Sequence, residues 1–116
     1  MPFFLISFPS GEMQVADGEW DAVVEESHQV IRDAKAAGVY VFGGGIDESV
    51  PPERVAADGA VIPGTYPQTA RLEGGYTILD LPDRDAARHW AARIATACRC
   101  PQELREFGVD PESTAG

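Results

Sequence analysis

Imidazole exchanges its proton close to neutral pH, and the chain carries two, His28 and His89. His28 lies about 80° around a helical wheel from Trp20, beside an apolar stripe rather than at its centre. That spacing puts it on the rim between a helix and the surface the helix covers, where a proton-transfer base is useful. The competing reading is an ordinary surface or packing histidine, and one His is weak evidence by itself. His89 follows Arg88 and falls off the apolar face of its helix, as a solvated residue does. Asp47 and Glu48 lie after the second strand, and either could orient His28 if that loop folds back over the helix rim. Tyr66 and Arg71 suit an acidic or aromatic ligand, although Arg71 is equally an ordinary surface cation in an acidic chain.

Other chemistries are less well supported. Cys98 and Cys100 supply two sulfurs, but no His or Cys cluster lies near them in sequence, so no metal site is expected. No cofactor is expected either, since no dinucleotide, calcium-loop or nucleophile-elbow pattern occurs. Gly43-Gly44-Gly45 lacks the Lys and Ser/Thr of a phosphate loop and reads as a bulge or sheet bend. Trp20 and Trp90, one per helix, are expected to be core anchors rather than stacking groups.

Alternating and helical periodicities outline the elements that must hold these residues. Phe3 to Phe8 is a buried first strand ended by Pro9-Ser10-Gly11. Asp17 is the expected N-cap of a helix carrying Trp20, Val23, Val24, Ser27, Ile31 and Ala34, with Gly38 as its stop. Val39 to Phe42 is a second strand. Val55–Ala57 and Ala60–Ile62 flank Asp58-Gly59, a hairpin signal for a type I′ turn. Gly75 to Leu81 is a strand. Asp83 caps a second helix with Trp90 and Ile94 on its apolar face, and Pro101 ends it. Gln102 to Phe107 is the last strand. Leaving the hairpin aside, the order is β-α-β-β-α-β, an α+β ferredoxin-like pattern with both helices on one face of the sheet. Residues 1–109 form one domain, and 110–116 are expected to be a flexible tail.

The 116 residues carry 19 acidic and nine basic side chains, a formal charge of −10. That field repels phosphate backbones and argues against a nucleic-acid partner. No apolar run reaches the length of a membrane span, and no secretory signal is visible. Two thiols one residue apart close no useful loop, so a reduced, cytoplasmic protein is expected.

Phe4-Leu5-Ile6, His28, Gly43-Gly44-Gly45, Asp58-Gly59, Gly74-Gly75-Tyr76, Trp90-Ala91 and Pro101-Gln102-Glu103-Leu104-Arg105 resemble the YCII-related family in its DGPF-domain branch, nearly end to end. The branch takes its name from an Asp-Gly-Pro-Phe run, which here reads Pro63-Gly64-Thr65-Tyr66, so the acid is gone. The resemblance implies a dimeric α+β barrel and places His28 at the family's His position. Function is mostly unassigned there. A few relatives look like small acid/base enzymes using a His with an Asp, and some members of the branch are associated with alternative sigma factors. Since Pro63 cannot supply the acid, Asp47 is the expected substitute. Two readings follow: a homodimeric acid/base enzyme acting on a small molecule through His28, or a non-catalytic dimeric regulatory or partner-binding module. A cavity gathering His28 and a carboxylate favours the first.

Overall fold

In the computed structural model, which describes residues 2–114, the apolar first strand β1 (Phe3–Pro9) runs through the middle of a four-stranded sheet. It pairs antiparallel with β5 (Gly74–Asp80) on one side and β6 (Glu103–Glu106) on the other. The edge strand β2 (Tyr40–Gly45) pairs antiparallel with β5, so the order is β2-β5-β1-β6. With helices α1 (Trp20–Ala36) and α2 (Arg84–Cys98), this is the expected ferredoxin-like α+β arrangement. The remaining strands, β3 (Glu53–Val55) and β4 (Val61–Pro63), form a separate two-stranded hairpin within the β2–β5 connection.

Period-2 alternation decides which side chains face the helices. Phe4 sits opposite Leu79, and Ile6 opposite Leu104; Phe4, Ile6 and Leu79 are each about 1% exposed. They pack with Val30 and Ala34 of α1 and with Ala87, Ala91, Ile94 and Cys98 of α2. The small residues of α2 let that helix lie close to the sheet. The alternate row, Phe42–Ile78–Leu5–Arg105, crosses all four strands on the other face, and Phe42 is 64% exposed there.

Several local expectations are corrected. The first helix begins at Trp20 with Glu19 at its N-cap, not Asp17; Asp17 lies in the turn before it. The Glu19 side chain makes no capping bond to the helix and instead accepts from Arg99 Nε at 3.1 Å. Trp20 is no core anchor: it is 56% exposed in the first turn, while Trp90 is half-buried at the core's edge. The second strand takes in all three glycines and slips register between Tyr40 and Phe42. The second helix stops at Cys98, before Pro101, because Arg99 adopts the left-handed conformation (φ 64°) as its C-cap.

The hairpin tip is present, but it is not a type I′ turn. Gly59 has φ 89° and Asp58 is not at positive φ; the Gly59 amide donates to Ala56 O at 2.9 Å, and Ala56 N donates to Ala60 O at 2.8 Å. Asp58 acts through its side chain, accepting from Ala60 N at 2.9 Å. Asp83 caps α2 as expected, accepting from Ala86 N at 2.8 Å. In the segment expected to be a tail, Asp110 caps a 3₁₀ turn at Pro111–Ser113; residues 115–116 lie outside the described residues. No helix among the described residues is long and apolar enough to cross a membrane.

Candidate functional site

A cavity of about 480 Å3 opens between α1, α2 and the glycine-rich end of the sheet, within the usual range for small-molecule sites. Its apolar wall comes from the helices, through Val23, Val30, Ile31, Ala34, Ile94 and Cys98. The aromatic side chains of Phe8, Trp20 and Tyr40 add to that wall, whereas Tyr76, on the same face of β5 as Ile78, turns its ring to the other side of the sheet. Ser10, Ser27, His28, Glu48 and Thr77 are its polar side chains.

Glycine makes room for two of these rings. A Cβ on Gly75 would lie 2.5 Å from Phe8 Cε1, and one on Gly43 would lie 2.9 Å from the Tyr40 hydroxyl. Both contacts are too short to exist, so the bare backbone is what lets each aromatic lie flat on the sheet. Tyr76 is fixed by its hydroxyl, which donates to Leu72 O at 2.7 Å. Lys35 Nζ stands 5.3 Å from the Tyr40 ring centroid, a cation–π arrangement.

His28 is on the cavity's exposed rim, one residue after half-buried Ser27. Ser27 turns its hydroxyl onto its own helix, donating to Val24 O at 3.0 Å. The loop after β2 folds back over this mouth and brings Ile46 and Glu48 to the cavity wall. Ser10 Oγ donates to Glu48 Oε1 at 3.3 Å, tying that loop to the turn after β1.

The other sequence-nominated residues are placed elsewhere. Asp47 accepts from both Ser49 Oγ (2.6 Å) and Ser49 N (3.0 Å), and it is not among the cavity-lining residues. Those bonds, the hydroxyl's first, hold its carboxyl below the ordinary value of 3.8. Tyr66 is exposed beneath the Arg54 guanidinium, 5.4 Å from its ring centroid. Arg71 is exposed in the turn before β5. Neither lines the cavity. His89 is exposed and edge-on to Trp90.

Both cysteines are buried and free. Burial, reinforced by Cys100, pushes the Cys98 thiol up to about 11, so it faces the cavity as a neutral apolar group rather than a nucleophile. Cys100 is shifted upward too, chiefly by burial and then by Glu12. Among the described residues, no group of three or more His, Cys, Asp or Glu is gathered to hold a metal.

Sequence reasoning singled out His28 but left Phe8, Tyr40 and Ser10 unassigned as site residues. The readable signal was the glycine clusters, which admit rings on neighbouring strands.

No family model matches the chain, and no curated protein matches it in sequence. Among solved structures it is similar to 5-chloro-2-hydroxyhydroquinone dehydrochlorinase from Burkholderia phenoliruptrix AC1100, solved with 2,5-dihydroxybenzoquinone. That likeness has 11% identity, covers 97% of this chain and 99% of that chain, and has a TM-score of 0.48.

Proposed function

We propose that this protein binds a small molecule in the cavity beneath α1 and moves a proton on it, with His28 as the base. The observation that carries this reading is that the His28 imidazole and the Glu48 carboxyl group line one mainly apolar cavity. Apolar walls exclude water and strengthen the few polar contacts that remain. We assign the orienting role to Glu48, which lines the cavity and accepts from Ser10, in place of Asp47, which accepts from Ser49 and does not line it. Tyr40 and Thr77 are the hydroxyl donors for an oxygen that gains charge as the proton leaves. The YCII-type resemblance of the sequence supports the same reading. Two free thiols are compatible with a cytoplasmic setting.

Deuterium exchange into 2-tetralone, a neutral bicyclic ketone, tests this. The imidazole takes the proton α to the carbonyl, the C–H electron pair enters the enolate, and a deuteron from solvent returns to the same carbon. Wild-type protein should accelerate exchange followed by NMR in D2O, and His28→Gln should abolish the acceleration while Asp47→Asn leaves it. Wild-type acceleration that survives in His28→Gln would reject His28 as the base.

The partner-binding reading has one observation of its own. The β3–β4 hairpin and the loop before it expose Val50, Val55, Val61 and Ile62. If wild-type protein exchanges no faster than buffer, that apolar hairpin makes a regulatory or docking module the better account.

A further inference from the structure

The cavity has aromatic and aliphatic walls, yet no Lys or Arg among the described residues lines it. Glu48 is the acidic side chain among the lining residues. Lys35, 5.3 Å from the Tyr40 ring centroid, is not itself a lining residue, and several arginines are engaged elsewhere. Arg93 pairs with Asp33, Arg99 with Glu19 and Glu26, and Arg84 with Glu106. Arg54 lies over Tyr66, outside the cavity, and the whole chain carries a formal charge of −10. An anionic ligand would therefore lose its hydration and meet the Glu48 side chain, with no Lys or Arg on the wall to compensate. A ring without charge would lose little hydration and gain contact with Phe8, Trp20 and Tyr40.

We infer that the site takes an apolar ring compound bearing no anionic group, and that it discriminates against carboxylates and phosphate esters of the same shape. This deepens the proposed reading and rests on the same cavity.

The test is a pair of probes sharing one naphthalene ring, 2-naphthol and 2-naphthoate, titrated into wild-type protein near neutral pH and followed by calorimetry. Saturable binding of 2-naphthol, at least about tenfold tighter than 2-naphthoate, is expected. Raising the pH until the naphthol ionises should weaken it. Ser27→Lys puts a cation on the cavity wall and should tighten 2-naphthoate by about tenfold or more. Equal or tighter wild-type binding of 2-naphthoate, or no saturable binding of either compound, overturns the inference. An unchanged naphthoate affinity in folded Ser27→Lys overturns it too, because binding would then lie outside this cavity. The measurement involves no proton transfer. A preference for naphthoate would defeat the ligand class and leave the exchange assay standing. Exchange independent of His28 would defeat the base and leave the naphthol preference standing.

Discussion

Arg99 Nη1 donates to Glu26 Oε1 at 2.9 Å, joining the end of α2 to the second turn of α1. The same guanidinium reaches Glu19 at the helix start, and Nη1 also donates to Thr96 O at 2.9 Å and Ala97 O at 3.0 Å. Its side chain is only 19% exposed. One residue thus closes the open carbonyl end of α2 and fixes the α1 turns that carry Trp20, Val23 and Ser27 to the cavity.

Arg99 also stands at positive φ, a conformation unfavourable for any residue with a Cβ. Arg99→Ala loses the ion pairs and keeps the strain. Arg99→Gly loses the ion pairs and relieves it. Thermal midpoints should therefore fall in the order wild type, Arg99→Gly, Arg99→Ala. The reverse order of the two variants would show that the left-handed cap costs nothing here.

Stability should fall in acid with a sign set by these pairs. The hydrogen bond from Arg99 holds the Glu26 carboxyl below its ordinary value of 4.5, and that from Arg93, followed by Gln29, holds Asp33 below 3.8. A depressed carboxyl contributes its full stabilisation above the unfolded value and loses it as pH falls through the folded value. Glu26→Gln should accordingly lose less midpoint between about pH 6 and about pH 3 than wild type does. Parallel acid limbs would remove Glu26 from the account.

Gly74 and Gly75 predict two different failures. A Cβ on Gly74 would fall 1.9 Å from Phe8 O, at φ 144°. Backbone must move, so Gly74→Ala should cost about 3 kcal/mol in denaturant unfolding. A Cβ on Gly75 meets the far end of the Phe8 ring instead. Gly75→Ala should cost less and displace that ring, weakening 2-naphthol more than folding. Equal losses in stability would mean that the Phe8 ring cannot move.

The two tryptophans should separate binding from packing. Trp20 lines the cavity while Trp90 does not. Ligand should alter intrinsic fluorescence in wild type and Trp90→Phe, and not in Trp20→Phe. Trp90 is half-buried under the Arg93 guanidinium, 5.0 Å from its ring centroid. Trp90→Ala should cost about 2 kcal/mol, below the value for a fully buried Trp. A ligand response unchanged in Trp20→Phe would place binding elsewhere.

A second copy of the chain is the proposed cover for the helix-free face of the sheet. Phe42, Ile78 and Leu5 form an apolar row there, and Phe42 is largely exposed in the single chain. A dimer seated on it would bury about 2,000 Å2. Light scattering should give a dimer mass, reduced to the monomer by Phe42→Asp. A wild-type monomer at micromolar concentration would reject the interface.

Much of the scaffold was legible because alternation and helical spacing report burial directly. Phe4, Ile6, Leu79 and Ile94 fall where their spacing puts them. Trp20 did not, because a helical wheel gives direction and not depth; its turn lies at the cavity mouth, away from the sheet's centre. Asp47 carried a readable sign of local capture, since an Asp two residues before Ser commonly accepts from that residue's own amide. Choosing Glu48 over it needs the path of the loop, which no local pattern encodes. The left-handed Arg99 was equally hidden, because its carboxylate partners are 73 and 80 residues away in the chain.

The long β2–β5 connection leaves the sheet at Gly45 and returns at Gly74, and Ile46 N donates to Gly74 O at 2.9 Å across its base. The radius of gyration is 15.9 Å, against about 13 Å for a compact domain of similar length. The base of this excursion is already closed, so the sheet is indifferent to the length and content of what lies between. Yet Ile46 and Glu48, on the first stretch of that excursion, form part of the mouth. Descendants of this chain can therefore acquire new ligand preferences by lengthening, trimming or exchanging one external segment, none of whose residues belongs to the buried core cluster. Divergence among such proteins should concentrate between those two glycines, where selection on chemistry and selection on folding act on different residues.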